Sequence, residues 1–167
     1  VRQLIGQGMR TLRNEAEAEA FAYAYIGASR AVGTAGTTPF ASDLSDIVAA
    51  RKVLRDNGAP LADPQMVINT DAELNLLNLG LVSQANVAGS DMERRSGLIG
   101  RQYGFQIGTS DAISAHTKGT ATGFDANGGE PIGETTIAVD GSDSGTILAG
   151  DVVTWAGDTN KYIVSSA

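Results

Sequence analysis

The distribution of glycine constrains this chain more than any other feature. From about Gly97 onward a glycine interrupts the sequence every few residues, whereas the first half contains long stretches without one. Glycine weakens helices and permits the tight turns that join short strands. The sequence therefore predicts an α+β protein, in which helices and one strand come first and short antiparallel strands follow.

The first predicted element is a long helix over residues 9–32. This stretch is rich in alanine and contains no proline, and both properties favour a helix. Apolar or small residues recur along it at steps of three and four, so they form one narrow stripe that a sheet or a second helix can approach closely. Gly33 and Gly36 are predicted to end the helix. The stripe consists of Met9, Leu12, Ala16, Ala20, Tyr23 and Gly27.

A compact α/β lobe is predicted next. Its first helix starts near Ser42 or Asp43, where negative charge favours a helix N-terminus, and ends at Asn57-Gly58. The short apolar run at residues 66–68 has the length of a strand. The apolar face of the helix is formed by Leu44, Ile47, Val48 and Leu54.

A capping box predicts the start of the helix after this strand. In such a box the hydroxyl of Thr70 and the carboxylate of Glu73 satisfy each other's free backbone amides. The helix that follows is predicted to carry three leucines. They are Leu74, Leu77 and Leu81.

Four short strands are predicted near the end of the chain. Asn127-Gly128 marks a turn before them, and a loop at residues 156–160 joins the last two. Short antiparallel strands at this spacing are typical of a small barrel or sandwich. The predicted strands are Thr135–Val139, Thr146–Leu148, Val152–Trp155 and Lys161–Val164.

Composition argues against several classes of function. The net charge of −7, from 12 basic and 19 acidic residues, lacks the basic surplus with which proteins grip nucleic acid. Because the chain has no cysteine, it can form neither a disulfide framework nor a thiolate metal site. No apolar run has the roughly 18 residues that would predict a membrane-spanning helix. The first residues lack the apolar region of a signal peptide.

The sequence offers few candidates for catalysis or metal binding. His116 is the only histidine, and we expect a solvated loop residue, because catalytic and metal-binding roles require partners held nearby. Residues 140–143 lack the spacing of a calcium loop and predict a hairpin turn. Neither Gly6-Gln7-Gly8 nor residues 27–30 complete a dinucleotide fingerprint or a nucleophile elbow. No catalytic, cofactor-binding or metal-binding residue is predicted, and no cofactor.

The charged residues leave two alternatives open. Each of four aspartates fits a turn or a helix cap, although any two of them could form a carboxylate pair for acid–base chemistry. Arg94-Arg95, with Arg101 beyond, either lies in a solvated loop or contacts an acidic neighbouring subunit. The four aspartates are Asp63, Asp71, Asp151 and Asp158.

Residues 93–113, ERRSGLIGRQYGFQIGTSDAI, combine a basic, glycine-rich turn with a Gly-Phe-apolar strand and a serine. This stretch resembles a segment of tailed-bacteriophage major capsid proteins. Its glycines let the backbone turn tightly and cross a neighbouring element without a Cβ clash. The matching positions are Arg95, Gly97, Ile99, Gly100, Gly104, Phe105 and Ser110.

A second stretch combines HTKGTATGFDANG at residues 116–128 with LAGDVVTWAG at residues 148–157. It is similar to the entry of the inserted β-domain in P22-like coat proteins, where a T-K-x-T-A-T-G run precedes strands that end in G-D-x-x-x-x-A-G. The matching positions are Thr117, Lys118, Thr120, Ala121, Thr122, Gly123, Gly150, Asp151, Ala156 and Gly157.

The resemblance implies an HK97-like capsid fold. Residues 1–36 would be the spine helix, 37–116 a portion of the A-domain, and 117–167 the start of the inserted β-domain, a small antiparallel barrel whose further strands would cover Trp155. It also implies a non-enzymatic subunit that self-assembles into pentamers and hexamers of an icosahedral shell. Scaffolding and portal proteins would be its other partners, without specific nucleic-acid or membrane binding. Its location would be the virion, after assembly in the bacterial cytoplasm.

Two other classes of function remain open at this point. One is a β-rich binding or adhesion module, whose glycine-rich half presents loops to a sugar or a protein. The other is part of a hydrolase that uses aspartate carboxylates in an active site completed by further sequence. Saturable ligand binding by a monomer would distinguish the first, and loss of an activity on changing one aspartate would distinguish the second.

Overall fold

The computed structural model describes residues 2–80, 99–141 and 145–167, without the side chain of Arg2. It confirms a mixed α+β architecture, with three helices and eight short strands in this part of the chain. Predictions that concern Leu81, Arg94-Arg95, Gly97-Leu98 and residues 142–144 lie outside the described residues.

The elements follow one another as the change in glycine content predicts, with all three helices before residue 80. The helices are α1 (Arg2–Ile26), α2 (Ser45–Asp56) and α3 (Thr70–Asn78). The strands are β1 (Arg30–Ala31), β2 (Gln65–Ile68), β3 (Arg101–Gln102), β4 (Phe105–Thr109), β5 (Asp125–Ala126), β6 (Val139–Asp140), β7 (Val152–Val153) and β8 (Lys161–Ile163).

Helix α1 begins and ends earlier than predicted. Gly6 and Gly8 lie inside it with open space around them, so each weakens the helix by about 1 kcal/mol relative to alanine without interrupting it. The predicted last turn is wrong, because Arg30–Ala31 forms β1 and its backbone pairs with β8. Of the helices described, even α1 lacks the combination of length and apolarity needed to cross a membrane.

Helix α2 lies close to its predicted bounds. The carboxylate of Asp43 accepts a hydrogen bond from the amide of Ser45 at 2.8 Å, which holds the chain in a turn ahead of the helix. At the other end Asn57 is the C-cap, and Gly58 follows with a φ of +71°. This left-handed conformation suits glycine and ends the helix where the sequence predicts it.

The capping box predicted at Thr70 is wrong by one residue. Asn69 is the N-cap of α3, and its side-chain oxygen accepts a hydrogen bond from the amide of Ala72 at 3.0 Å. Thr70 is already the first helical residue, so its hydroxyl is not at the capping position. The carboxylate of Glu73 instead accepts a hydrogen bond from the Thr109 hydroxyl at 3.4 Å. Asparagine is at least as good a cap as threonine, which explains the shift.

In the part of the chain that the structure describes, the buried hydrophobic residues that form the core lie between residues 40 and 107, within the predicted A-domain portion. Helix α3 faces it with Ala72 and Leu76, whereas Leu74 is 61% exposed. On α2, Val48 is likewise exposed. The core consists of Phe40, Leu44, Ile47, Ile68, Ala72, Leu76, Ile99, Phe105 and Ile107.

A mixed sheet with the order β2-β4-β3 carries one side of this core. Strands β2 and β4 are parallel, with Met66 opposite Ile107, and α3 lies in the connection between them. Strands β3 and β4 form a hairpin through Tyr103-Gly104, whose φ angles are +47° and +89°. Two positive φ values define a type I′ turn, the form that suits the twist of a two-residue hairpin.

A second sheet brings the residues just after α1 together with the last two strands described. Its order is β1-β8-β7, and both pairs are antiparallel. The hairpin of β7 and β8 confirms the last two predicted strands. Because β1 follows α1 directly, this sheet ties the segment predicted as spine helix to the segment predicted as inserted β-domain.

Two predicted strands are largely wrong. Only Val139 of the Thr135–Val139 prediction lies in a strand, where β6 pairs with β5. Residues 146–148 form no strand, because side chains bind the backbone amides of this stretch. The Thr146 amide donates to the Thr120 hydroxyl at 3.1 Å, and the Leu148 amide donates to the Asp151 carboxylate at 2.8 Å.

Candidate functional site

Three side chains from distant parts of the sequence meet where α1 ends. The hydroxyl of Tyr25 lies 3.2 Å from Nδ1 of His116, and Nε2 of the same ring lies 2.8 Å from the Asp151 carboxylate. The rings of Tyr25 and His116 are tilted by 52°, with their centroids 5.5 Å apart. We call these three residues the polar joint. Its members belong to α1, to the loop after β4 and to the turn before β7.

The backbone of the turn before β7 fixes the Asp151 carboxylate. Besides His116, this carboxylate accepts hydrogen bonds from the amide of Leu148 at 2.8 Å and from the amide of Gly119 at 3.1 Å. The main chain of Asp151 accepts from the amide of Val164 at 2.9 Å, which holds the turn to the end of β8. One aspartate therefore connects two loops and the hairpin.

Two buried glycines make room for the polar joint. Gly150 has a φ of +96°, and a Cβ at this position would overlap the ring of Tyr25. A Cβ at Gly119 would overlap the carbonyl oxygen of Thr146. Larger residues at either position would force the segments apart, so the Gly-Asp pair at 150–151 has a packing role as well as a turn role.

The hydrogen bonds that Asp151 accepts keep its carboxylate ionised. Burial by itself would raise the pKa of Asp151, but the hydrogen bonds from Leu148, His116 and Gly119 outweigh it and hold the pKa below the ordinary 3.8. The carboxylate is thus ionised and can only accept, so Nε2 of His116 carries the proton in the bond between them. Nδ1 of the same ring lies within hydrogen-bond distance of the Tyr25 hydroxyl.

A second polar contact joins β1 to β8. The guanidinium of Arg30 lies 4.3 Å from the centroid of the Tyr162 ring, a cation–π arrangement. The Tyr162 hydroxyl donates to the Asp158 carboxylate at 2.6 Å. This hydrogen bond, followed by that from the Asn160 amide, lowers the pKa of Asp158. The hydrogen bond to Asp158 is also the main cause that raises the pKa of Tyr162. Lys161 also donates to the carbonyl of Gly33.

The prediction that His116 is a solvated loop residue needs correction. The residue does lie in a loop, but its side chain is 25% exposed and has a partner on each ring nitrogen. Periodicity and motif spacing gave no signal for these contacts, because Tyr25 is 91 residues from His116 in the chain and Asp151 is 35. Tyr25 and Gly119 were not recognised from sequence at all.

The four candidate aspartates have separate partners. Asp63 forms an exposed ion pair with Arg101, Asp71 lies in the first turn of α3, and the other two belong to the contacts described above. No group of three acidic, histidine or cysteine side chains suited to a metal ion occurs in residues 2–80, 99–141 and 145–167. The carboxylates of Asp151 and Asp158 accept hydrogen bonds from nearby backbone amides, which agrees with the interpretation of both residues as turn residues.

Chemically, the polar joint holds an oriented histidine between an ionised carboxylate and a phenol. Such a chain can hold or relay a proton, and it can fasten three segments of backbone together. Comparison with protein-family models, curated proteins and solved structures gives no match to the chain. Only the residues and their geometry can therefore distinguish a proton relay from a structural contact that fastens the three segments.

Proposed function

We propose that the chain belongs to a tailed-bacteriophage major capsid protein with an HK97-like fold and a P22-type inserted β-domain. In this proposal the spine helix spans residues 1–36, the A-domain portion 37–116, and the start of the inserted domain 117–167. The protein is a structural subunit, not an enzyme. Its work is to associate with copies of itself into pentamers and hexamers and then into a closed shell.

The observation that carries the proposal is the contact between the two motif stretches that resemble the inserted domain. Gly119 and Thr120 come from the first stretch, and they bind the Asp151 carboxylate and the Thr146 amide respectively. Ala121 adds a backbone hydrogen bond to Thr146 at 3.1 Å. These contacts hold the first stretch against the second and the residues just before it, and His116 of the first stretch, bound to Asp151 of the second, also contacts Tyr25 at the end of α1.

Motif residues of the other stretch have structural roles as well. Gly104 takes a positive φ in the β3–β4 turn, and its missing side chain leaves room for Arg51, whose Nη1 donates to the Tyr103 carbonyl at 2.8 Å. Phe105, next in the motif, is buried in the core. Motif residues that stabilise the fold, rather than line a cleft, support the proposal that the protein functions by assembly.

The net charge and the many simultaneous contacts between subunits also fit a capsid shell. A net charge of −7 without a basic surplus suits a container that encloses DNA without gripping it. Each contact between subunits can be weak, because many form at once in a closed assembly. By resemblance, the further partners are a scaffolding protein and a portal, and the setting is the bacterial cytoplasm and then the virion.

The test is to express the complete coat polypeptide in bacteria, with a scaffolding protein where it is needed, and to image the product by electron microscopy. We expect closed shells of uniform size. Dispersed monomers under conditions that promote assembly would contradict the proposal. A variant with Gly150→Ala should fold less well and give fewer shells, whereas Gly157→Ala serves as the control on the same hairpin.

A hydrolase is the second candidate, since the polar joint places a histidine between a carboxylate and a hydroxyl in the order of a catalytic relay. The hydrogen bonds of Asp151 argue against a hydrolase. Its carboxylate also accepts hydrogen bonds from two backbone amides, which is the role of a structural anchor. An activity lost in His116→Gln with the fold retained would favour the hydrolase.

A binding or adhesion module is the third candidate, favoured by the largely exposed, glycine-rich segment at residues 122–134. Its loops carry backbone and hydroxyl groups that could contact a sugar or a protein. Saturable binding of a defined glycan by monomeric protein would favour this function. Assembly into shells without such binding would favour the capsid proposal.

A further inference from the structure

The chain contains two Asn-Gly dipeptides, at residues 57–58 and 127–128. In this dipeptide the backbone nitrogen of the glycine can attack the side chain of the asparagine, because glycine has no Cβ to block the approach. Both asparagines are exposed, and both glycines have open space around them. Any difference in reactivity between the two asparagines therefore depends on how firmly the fold holds each dipeptide.

The first dipeptide is held by the end of α2. The side-chain amide of Asn57 donates to the Val53 carbonyl at 2.8 Å, and its backbone amide donates to the same carbonyl at 3.1 Å. The Gly58 amide donates to the Arg55 carbonyl at 3.0 Å. The Gly58 nitrogen can therefore reach the side chain of Asn57 only after the last turn of α2 has opened.

The second dipeptide is held by fewer contacts. Asn127 follows β5, and its backbone amide donates to the Ala138 carbonyl at 2.8 Å. The Gly128 amide donates to the Ala126 carbonyl at 3.0 Å, a bond between residues only two apart that closes a three-residue turn. Freeing the Gly128 nitrogen therefore requires the loss of one local hydrogen bond. The flanking strands β5 and β6 have two residues each.

Local opening separates the reactivity of the two sites. A protected group reacts only in the fraction of molecules in which the surrounding structure has opened, and this fraction falls as more contacts must break. Opening the end of α2 disturbs Leu54, which packs against the core. Opening the turn at Gly128 disturbs only exposed residues, because residues 125–140 are all exposed. The fold thus protects Asn57 and leaves Asn127 reactive.

We propose that Asn127 is a site of spontaneous deamidation, and that its modification weakens the pairing of β5 with β6. The Gly128 nitrogen loses its proton to the solvent and bonds to Cγ of Asn127. The bond from Cγ to Nδ2 breaks, and Nδ2 leaves as ammonia after taking a proton from the solvent. Water then opens the cyclic imide and yields aspartate or isoaspartate. No group is oxidised or reduced. The inference goes beyond the capsid proposal and does not depend on it.

The product adds a negative charge where the chain already carries several. Residues 125–140 contain neither lysine nor arginine. Asp125 and Asp140 lie directly opposite each other in the pairing of β5 with β6. Like charges at opposed positions destabilise a strand pair, and a further carboxylate at residue 127 adds to this repulsion. The acidic residues of the stretch are Asp125, Glu130, Glu134 and Asp140.

The first experiment compares the two asparagines within one chain. The protein is incubated at neutral pH, folded in one sample and unfolded in guanidinium chloride in the other, and peptide mapping by mass spectrometry follows both residues. The rate for each asparagine in the folded sample is divided by its rate in the unfolded sample. We expect this ratio to be about tenfold higher or more for Asn127 than for Asn57. Equal ratios, or an Asn127 that reacts only in denaturant, would overturn the proposal.

The second experiment measures the effect of the product on strand pairing. Asn127→Asp carries the charge of the product, and Asn127→Gln is the neutral control. Hydrogen exchange of the amides in β6 is compared between the two variants, because substitution at residue 127 leaves the intrinsic exchange rates of these amides unchanged. We expect exchange to be about twofold faster or more in Asn127→Asp, with a smaller difference at high salt. Equal exchange in the two variants would overturn the effect on pairing.

Discussion

At the scale of single residues, the contacts converge on Asp151. Its carboxylate accepts hydrogen bonds from His116, Leu148 and Gly119, while only 12% of its side chain is exposed. Charge-assisted hydrogen bonds of this kind stabilise more than neutral ones. The neighbouring Gly150 supplies the left-handed backbone and the space for Tyr25. Two adjacent residues thus connect the helix, the loop and the hairpin.

Replacing Gly150 by alanine tests the packing of this point. We expect Gly150→Ala to lower the free energy of unfolding by about 2 kcal/mol or more, through positive φ and overlap with Tyr25. Gly157→Ala, also at a positive φ but with open space around it, should cost about 1 kcal/mol. Trp155 fluorescence during urea unfolding provides the measurement. Equal costs for the two variants would contradict the role assigned to the Tyr25 contact.

The stability of the protein at acid pH tests the contribution of the ionised Asp151 carboxylate. Because its pKa is lower in the folded protein than the ordinary 3.8, its contribution is complete above that value and is lost as pH falls through the folded pKa. Asp151→Asn should therefore be less stable by about 1–3 kcal/mol at neutral pH, and the difference should shrink below pH 3.8. Urea unfolding of the Asp151→Asn variant and the unmodified protein at several pH values measures this difference in stability. The Asp111→Asn variant, at an exposed position, serves as the control. A difference independent of pH would refute the ionic role.

At the scale of elements, short local sequence patterns determine where helices end. Strand pairing determines the structure of the residues that flank them. Asn57-Gly58 ends α2 by local chemistry. Arg30–Ala31 has helix-compatible residues but forms a strand, because β8 offers hydrogen-bond partners and Arg30 stacks on Tyr162. Tertiary pairing overrides helix propensity wherever the propensity is weak.

The N-cap of α3 provides a test at this scale. Asn69→Ala should cost about 1 kcal/mol, because it removes the acceptor for the Ala72 amide. Thr70→Ala should change stability by less than about 0.5 kcal/mol, although the sequence pattern alone assigns the cap to Thr70. Chemical denaturation followed by circular dichroism compares the two. A larger loss in the threonine variant would restore the predicted capping box.

At the scale of the whole molecule, one apolar core coexists with a polar joint. The core lies between residues 40 and 107, while the polar joint contacts the end of α1 through Tyr25 and a cation–π contact joins β1 to β8 within the second sheet. Apolar burial supplies most of the driving force for folding, and the polar contacts determine which segments meet. We therefore expect the core to dominate global stability.

Two leucines of α3 test this division. Leu76 is fully buried, so Leu76→Ala should lower the free energy of unfolding by about 2–5 kcal/mol. Leu74→Ala, at an exposed position, should change it by no more than about 0.5 kcal/mol. Far-ultraviolet circular dichroism reports the helices, and Trp155 reports the hairpin. Similar effects of the two substitutions would contradict the placement of the core.

The sequence by itself determined the α+β class, the order of the three helices and the last hairpin, because alanine content, glycine positions and short apolar runs act locally. Only the tertiary structure decided that Arg30–Ala31 becomes a strand, that Leu76 rather than Leu74 faces the core, and that His116 lies between Tyr25 and Asp151. These features depend on which distant segments come together. That outcome reflects the balance of burial and pairing over the whole chain, which no local pattern contains.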